Sequence, residues 1–247
     1  MNDCSKGSEQ RMNDNRIDTA HGLFQKALSS GREGNAADER AAYDEIISRF
    51  SGHEDSEISR LVAKALLNKG VISAQGIRFE EARAAFDEVI AKYKNAADPE
   101  LHLRVAAALV NKGVVLSQQG RIDEALAAYH EAVKRYGAAP EPEFKEQVAK
   151  ALLNRGTAFG KQGKTADERA VYDEIVRQMG DAPEIALKVQ VARALFNKAL
   201  TFSRQMQLEE ANRIYDEIIA CFGSAEEPEL KEQVSRIPAD RSVSYHF

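Results

Sequence analysis

The chain has 247 residues, of which 43% are hydrophobic and 30% charged, so it can bury a sizeable core and is not disordered over most of its length. Its 34 Lys and Arg stand against 39 Asp and Glu, a net charge of −5 with the signs mixed, which argues against a nucleic-acid binder. Two distant cysteines, Cys4 and Cys221, make no disulfide framework, and neither an apolar leader nor an 18-residue apolar run is present; the expectation is a cytoplasmic chain without a membrane segment.

Residues 1–13 read as a polar N-terminal tail. From residue 14 the chain repeats itself. LFQKA, LLNKG, LVNKG, LLNRG and LFNKA place Gln25, Asn68, Asn111, Asn154 and Asn197 at a constant spacing of 43 residues. A second column at that spacing is Tyr43, Phe86, Tyr129, Tyr172 and Tyr215, and a third is Glu45, Glu88, Glu131, Glu174 and Glu217. Three columns in register without insertion exclude chance and set five repeats, 14–56, 57–99, 100–142, 143–185 and 186–228.

Each repeat reads as two helices. In the third, Leu101, Val105, Ala108, Leu109, Gly113 and Leu116 share one stripe of a 3.6-residue helix. Gly120 supplies the positive φ of a tight turn, and Ile122, Ala125, Ala128, Tyr129, Ala132 and Val133 share a face of the second helix. Pro142 stands where the next helix begins, since a first-turn N–H needs no partner. EPELKEQVSRIP copies EPEFKEQVAKAL, so Leu230 and Val234 take the places of Phe144 and Val148, and 229–247 reads as a short capping helix followed by a loose tail, ADRSVSYHF.

Catalytic chemistry is not visible. The five histidines, His21, His53, His102, His130 and His246, are scattered without metal-ligand spacing, and no phosphate-binding glycine loop follows a strand. Acidic pairs such as Glu80–Glu81 and Asp123–Glu124 fall in the first turn of second helices, where they favour the helix dipole. No enzyme activity, cofactor or metal is expected.

ALVNKGVVLSQQGRIDEALAAYHEAV resembles a tetratricopeptide repeat, through its Asn–x–Gly, Gly120, the acidic pair with Ala125, Tyr129 and Ala132. The likeness is specific where Ala82, Ala125 and Ala211 are kept, and looser in the first and fourth repeats, where Glu39 and Glu168 replace that alanine. Each repeat carries about nine residues beyond the usual ~34, lengthening the first helix, which is similar to the longer repeats of the kinesin light chain group. The resemblance implies an all-α, right-handed α-solenoid of five helix-turn-helix repeats with a C-terminal capping helix. It also implies a non-catalytic scaffold that holds a peptide or helix of a partner protein in a groove lined by first helices. A peptide-responsive sensor and a self-assembling structural module are the alternatives, and the second would make self-association part of the function.

Helical faces then name the groove. One floor column is Phe24, Leu67, Val110, Leu153 and Phe196, and the next is Leu28, Val71, Val114, Thr157 and Leu200. The edge residues are Lys64, Lys150 and Arg193 with Gln75, Gln118, Lys161 and Arg204, so the groove is basic in its C-terminal half. The Lys and Asn of a carboxylate clamp are missing from this floor. Two readings stay open: the floor meets a partner, or the first helix is apolar on two faces because it is buried on both. A basic residue follows the Asn column in every repeat, Lys26, Lys69, Lys112, Arg155 and Lys198. We expect it to pair with the Glu column, Lys69 with Glu88 or Glu45, in a charged ladder that sets register.

Overall fold

A computed structural model describes residues 3–53 and 55–238, with side chains from residue 12 onward; the stretch ADRSVSYHF lies outside them. Among the described residues every regular element is an α-helix: α1 (Asp3–Arg32), α2 (Ala36–Phe50), α3 (Ser56–Gln75), α4 (Phe79–Tyr93), α5 (Pro99–Gln118), α6 (Ile122–Tyr136), α7 (Pro142–Lys161), α8 (Thr165–Met179), α9 (Ile185–Arg204), α10 (Leu208–Phe222) and α11 (Pro228–Ser235). The first helices α3, α5, α7 and α9 each have 20 residues and the second helices α2, α4, α6, α8 and α10 each have 15. α1 differs, because it already begins at Asp3, inside the stretch read as a polar tail.

The chain forms two compact units, Met1–Val115 and Leu116–Phe247. In the first, α3 packs against α1, α2 and α4. In the second, α7 packs against α6, α8 and α9, and α9 against α8, α10 and α11. A first helix therefore touches both its own second helix and a neighbouring first helix, the arrangement of stacked helix pairs.

The aromatic column is the centre of this packing: Tyr43, Phe86, Tyr129, Tyr172 and Tyr215 are all buried. The Asn–x–Gly motif explains how a ring fits beside a helix. A Cβ on Gly70 would stand 2.5 Å from the Phe86 ring, and one on Gly156 would stand 2.5 Å from Tyr172. The amide of Asn68 donates to the Tyr43 hydroxyl at 2.9 Å, tying α3 to the preceding second helix. Gly156→Ala is thus expected to cost about 1–3 kcal/mol through overpacking, read as a lower urea midpoint with the helix content unchanged.

Helix ends follow local rules. Asn35 caps α2 by accepting from the Asp38 N–H, and Asp55 caps α3 by accepting from Glu57 and Ile58. Asp55 also accepts from the Asn13 amide at 2.9 Å, and Asp98, before α5, accepts from Arg60 at 2.6 Å and Ser56 at 3.0 Å. Asn13 chiefly holds the Asp55 carboxyl below the usual range. Burial pushes the Asp98 carboxyl up, and the hydrogen bonds from Arg60, the Glu100 N–H and Ser56 together outweigh it, leaving it lowered.

The turn between the helices of each pair carries a positive φ at one register position: Gly34 at 78°, Ile77 at 60°, Gly120 at 74°, Gly163 at 72° and Met206 at 62°. Two of the five are not glycine, and both are exposed, Ile77 by 74% and Met206 by 66%. A left-handed conformation costs an L-residue about 1–2 kcal/mol, most for a β-branched one, and no burial of Ile77 offsets it. Replacement by glycine loses about 0.5–1 kcal/mol in chain entropy, so Ile77→Gly is expected to stabilise by up to about 1 kcal/mol, seen as a melting point higher by roughly 2–4 °C.

At the C-terminal end α11 covers the last pair. Leu230 is buried, and the Arg236 guanidinium lies 4.3 Å from the Phe196 ring centroid. The copied segment thus does for α9 what a further first helix would do.

Candidate functional site

The first-helix face divides into a closed and an open column. Leu67, Val110, Leu153 and Phe196 are only 4–7% exposed, while Phe24 is half-buried. This corrects the sequence reading: the column expected as a groove floor is core. The reason is the stacking of first helices, α1 on α3 and α7 on α9, which covers the second apolar face of each. The next column stays more open, with Val71 37% exposed, Thr157 exposed, and Leu28, Val114 and Leu200 half-buried.

The edges carry less free charge than their composition suggests. Lys64 pairs with Glu100 at 2.9 Å, Lys150 with Glu146 at 2.7 Å, and Arg204 with Glu168 at 2.7 Å. Lys161 donates to the Ser117 hydroxyl at 3.0 Å, whereas Arg193, Gln75 and Gln118 are exposed. Lys64 is the main reason the Glu100 carboxyl lies below its usual range.

The charged ladder exists with a different rail. Lys69 reaches Asp44 at 2.6 Å, Lys112 reaches Asp87 at 2.6 Å, and Lys198 reaches Asp173 at 2.5 Å, each from a first helix to the preceding second helix. The expected glutamates do not take part: Glu45 holds Arg49 and Glu131 holds Arg135 within their own helices, and Glu174 accepts from Gln178. One residue along a helix turns the side chain by about 100°, which aims the aspartate at the next pair and the glutamate away. In the third repeat the aspartate position is His130, and the basic residue that follows it, in the fourth repeat, is Arg155, with its guanidinium 5.7 Å from the Phe159 ring centroid. Lys26 lies in the first helix, with no pair before it, and is exposed. These pairs are partly solvated, so each is worth about 0–1 kcal/mol.

A pocket with polar walls lies in the second unit. A cavity of about 280 Å³ opens between α7, α8 and α9, lined by Thr157, Lys161, Glu168, Tyr172, Asn197 and Arg204, with Gly160 and Leu200. Glu168 is only 3% exposed; its Oε1 accepts from Arg204 Nη2, which also donates to the Thr201 hydroxyl at 3.1 Å. Its Oε2 is buried without a hydrogen-bond partner. Tyr172 points its hydroxyl at Oε1 over 3.5 Å, and burial above all pushes its phenol up to about 12.

Sequence reasoning saw Glu168 and Glu39 only as departures from an alanine column. The structure shows what goes with them. A Cβ at Gly160 would stand 2.9 Å from the Glu168 carboxylate, and one at Gly31 would stand 2.6 Å from Glu39 Oε2. The repeats that keep Ala82, Ala125 and Ala211 carry Ala74, Ser117 and Ser203 where these two have glycine. That exchange of Ala for Glu with Gly facing it was the readable signal. In the first unit the Tyr43 hydroxyl points at Glu39 Oε1 over 3.4 Å, and the position of Arg204 is held by Gln75.

Among the described residues no group of three or more His, Cys, Asp or Glu could hold a metal ion, and no helix is long and apolar enough to cross a membrane. Comparison with known proteins then decides the family. Two family profiles, both described as tetratricopeptide repeat, match residues 24–101 and 104–179, together well over half of the chain. The chain belongs to the tetratricopeptide-repeat family. A tetratricopeptide repeat protein from Parabacteroides merdae ATCC 43184 matches with a TM-score of 0.56 and 14% identity over 88% of this chain and 72% of the other. BtubC (BKLC) from P. vanneervenii matches with a TM-score of 0.61 and 15% identity over 85% of this chain and 80% of that one. At such identities the likeness is one of fold, an all-α solenoid of helix pairs. No curated protein matches the sequence. Tetratricopeptide repeats generally serve as scaffolds for protein–protein interaction and are typically non-catalytic.

Proposed function

We propose that this tetratricopeptide-repeat protein is a non-catalytic cytoplasmic scaffold that seats an extended peptide or a helix of a partner protein on its first-helix face. In this reading each unit offers its own stretch of that face: Val71 and Val114 in the first, and Thr157, Lys161, Leu200 and Arg204 with Arg193 at the rim in the second. The observation that carries it is the polar-walled cavity between α7, α8 and α9, which offers depth, an apolar patch at Leu200 and directed hydrogen-bonding groups in one place. An exposed, unpaired Cys221 fits a reducing compartment.

The test is capture of a partner by the wild-type chain and by Val71→Asp and Leu200→Asp. Both sites are open enough that the fold should lose less than about 1 kcal/mol, so loss of capture at an unchanged melting point supports the scaffold. Unchanged capture by both variants sinks it. Light scattering across concentration distinguishes the self-assembling alternative, and a radius of gyration that changes on adding the partner peptide would favour the sensor.

A further inference from the structure

Glu39 and Glu168 occupy the same niche twice in one chain, and only one copy is filled. Each carboxylate faces a glycine of the preceding first helix, Gly31 or Gly160, and lies one turn before a buried tyrosine, Tyr43 or Tyr172. The following first helix brings an asparagine to each, Asn68 or Asn197. At Glu168 a guanidinium closes the niche, Arg204 at 2.7 Å. At Glu39 that position is Gln75, which is exposed and uncharged. Among the described residues no cation lies within ion-pair distance of Glu39, and its hydrogen-bond partner is Tyr43. Asn68 orients the arrangement by donating to the Tyr43 hydroxyl at 2.9 Å, so the carboxylate is positioned without being neutralised.

We infer that the Glu39 niche receives the guanidinium of an arginine side chain from the partner, the group that Arg204 supplies internally to Glu168; this deepens the scaffold reading and rests on it. Guanidinium is the fitting cation because it is planar, weakly hydrated and able to fork onto a half-buried carboxylate, where an ammonium would have to shed more water. The counterpart of Leu200 is Val71, 37% exposed, which offers apolar surface to the arginine stem. Arg32 stands where the filled niche has Lys161, so a second cation on the rim is already accommodated in the working copy.

The test uses the full chain and N-acetyl-arginine amide, with the uncharged N-acetyl-citrulline amide and N-acetyl-lysine amide as comparisons, followed by NMR of side-chain carboxyl carbons. A saturable shift at Glu39 with a stoichiometry of one is expected, about tenfold weaker for citrulline and weaker also for lysine. Glu39→Gln should abolish it. Gln75→Arg should abolish it as well, by filling the niche from within as in the fourth repeat. Arg204→Gln should raise the stoichiometry from one to two by opening the second niche. Should that variant fail to fold, Glu39→Gln and Gln75→Arg still decide the matter. No saturable shift at Glu39, or binding that survives Gln75→Arg, overturns the assignment. The two readings fail separately: a partner lost on Leu200→Asp but kept on Glu39→Gln retires the niche and leaves the scaffold. A niche that takes the probe while Leu200→Asp and Val71→Asp leave partner capture intact retires the scaffold, and with it the partner as the source of the arginine, while the guanidinium site itself stands.

Discussion

Leu153→Asp is expected to unfold the second unit and not merely to blunt a surface. Leu153 is 6% exposed and lies on α7, which is packed against α6, α8 and α9. Truncating a buried leucine alone costs about 2–5 kcal/mol, and a carboxylate left in its place has no partner, adding roughly 2 kcal/mol or more even after local relaxation. The sum is comparable to the whole stability of an ordinary domain. Leu67→Asp should do the same to the first unit, from the same register position on α3. Leu200→Asp, four residues after the buried Phe196 on α9 and half-buried itself, is the contrast and should leave the urea midpoint nearly unchanged. If Leu153→Asp unfolds at the wild-type denaturant concentration, the column is an open floor and its burial plays no part in stability.

That contrast shows where sequence stops being informative. The helix pairs are legible because three columns keep one spacing, and because 3.6-residue periodicity marks a buried stripe without knowledge of what buries it. The same indifference hides the fate of the second stripe. Leu67 and Leu153 read identically whether a partner or a neighbouring first helix covers them. Turn geometry is legible at Gly34, Gly120 and Gly163, but Ile77 and Met206 reveal their positive φ only by falling in that column. The ladder was misassigned by a single residue because Asp44–Glu45, Asp87–Glu88 and Asp173–Glu174 offer adjacent acids, and only the rotation of the helix chooses between them. One sequence signal did point the right way: His130 breaks the aspartate column in the repeat just before the one where lysine becomes Arg155. The niche at Glu168 was visible too, as a paired exchange with Gly160, although its closure by Arg204 depends on helix packing that no spacing reveals.

Arg204→Ala should be far more damaging than its half-exposed position suggests. The side chain of Arg204 is 41% exposed while that of Glu168 is 3% exposed, so the pair is asymmetric: water can replace the carboxylate for the arginine, but nothing can replace the arginine for the carboxylate. Removing one partner of such a pair leaves a buried charge uncompensated, which costs about 3–5 kcal/mol. Oε2 already lacks a hydrogen bond, so the stranded group would have only the distant Tyr172 hydroxyl. Glu168→Ala restores the alanine found at Ala82, Ala125 and Ala211 and removes the charge altogether, so it should be close to neutral apart from the small void facing Gly160. The double variant should therefore recover most of what Arg204→Ala loses, a coupling of several kcal/mol in a double-mutant cycle. Urea unfolding of the four proteins decides it. Additive losses, or an Arg204→Ala variant as stable as wild type, would mean that solvent reaches Glu168 and that the niche is not closed by its arginine.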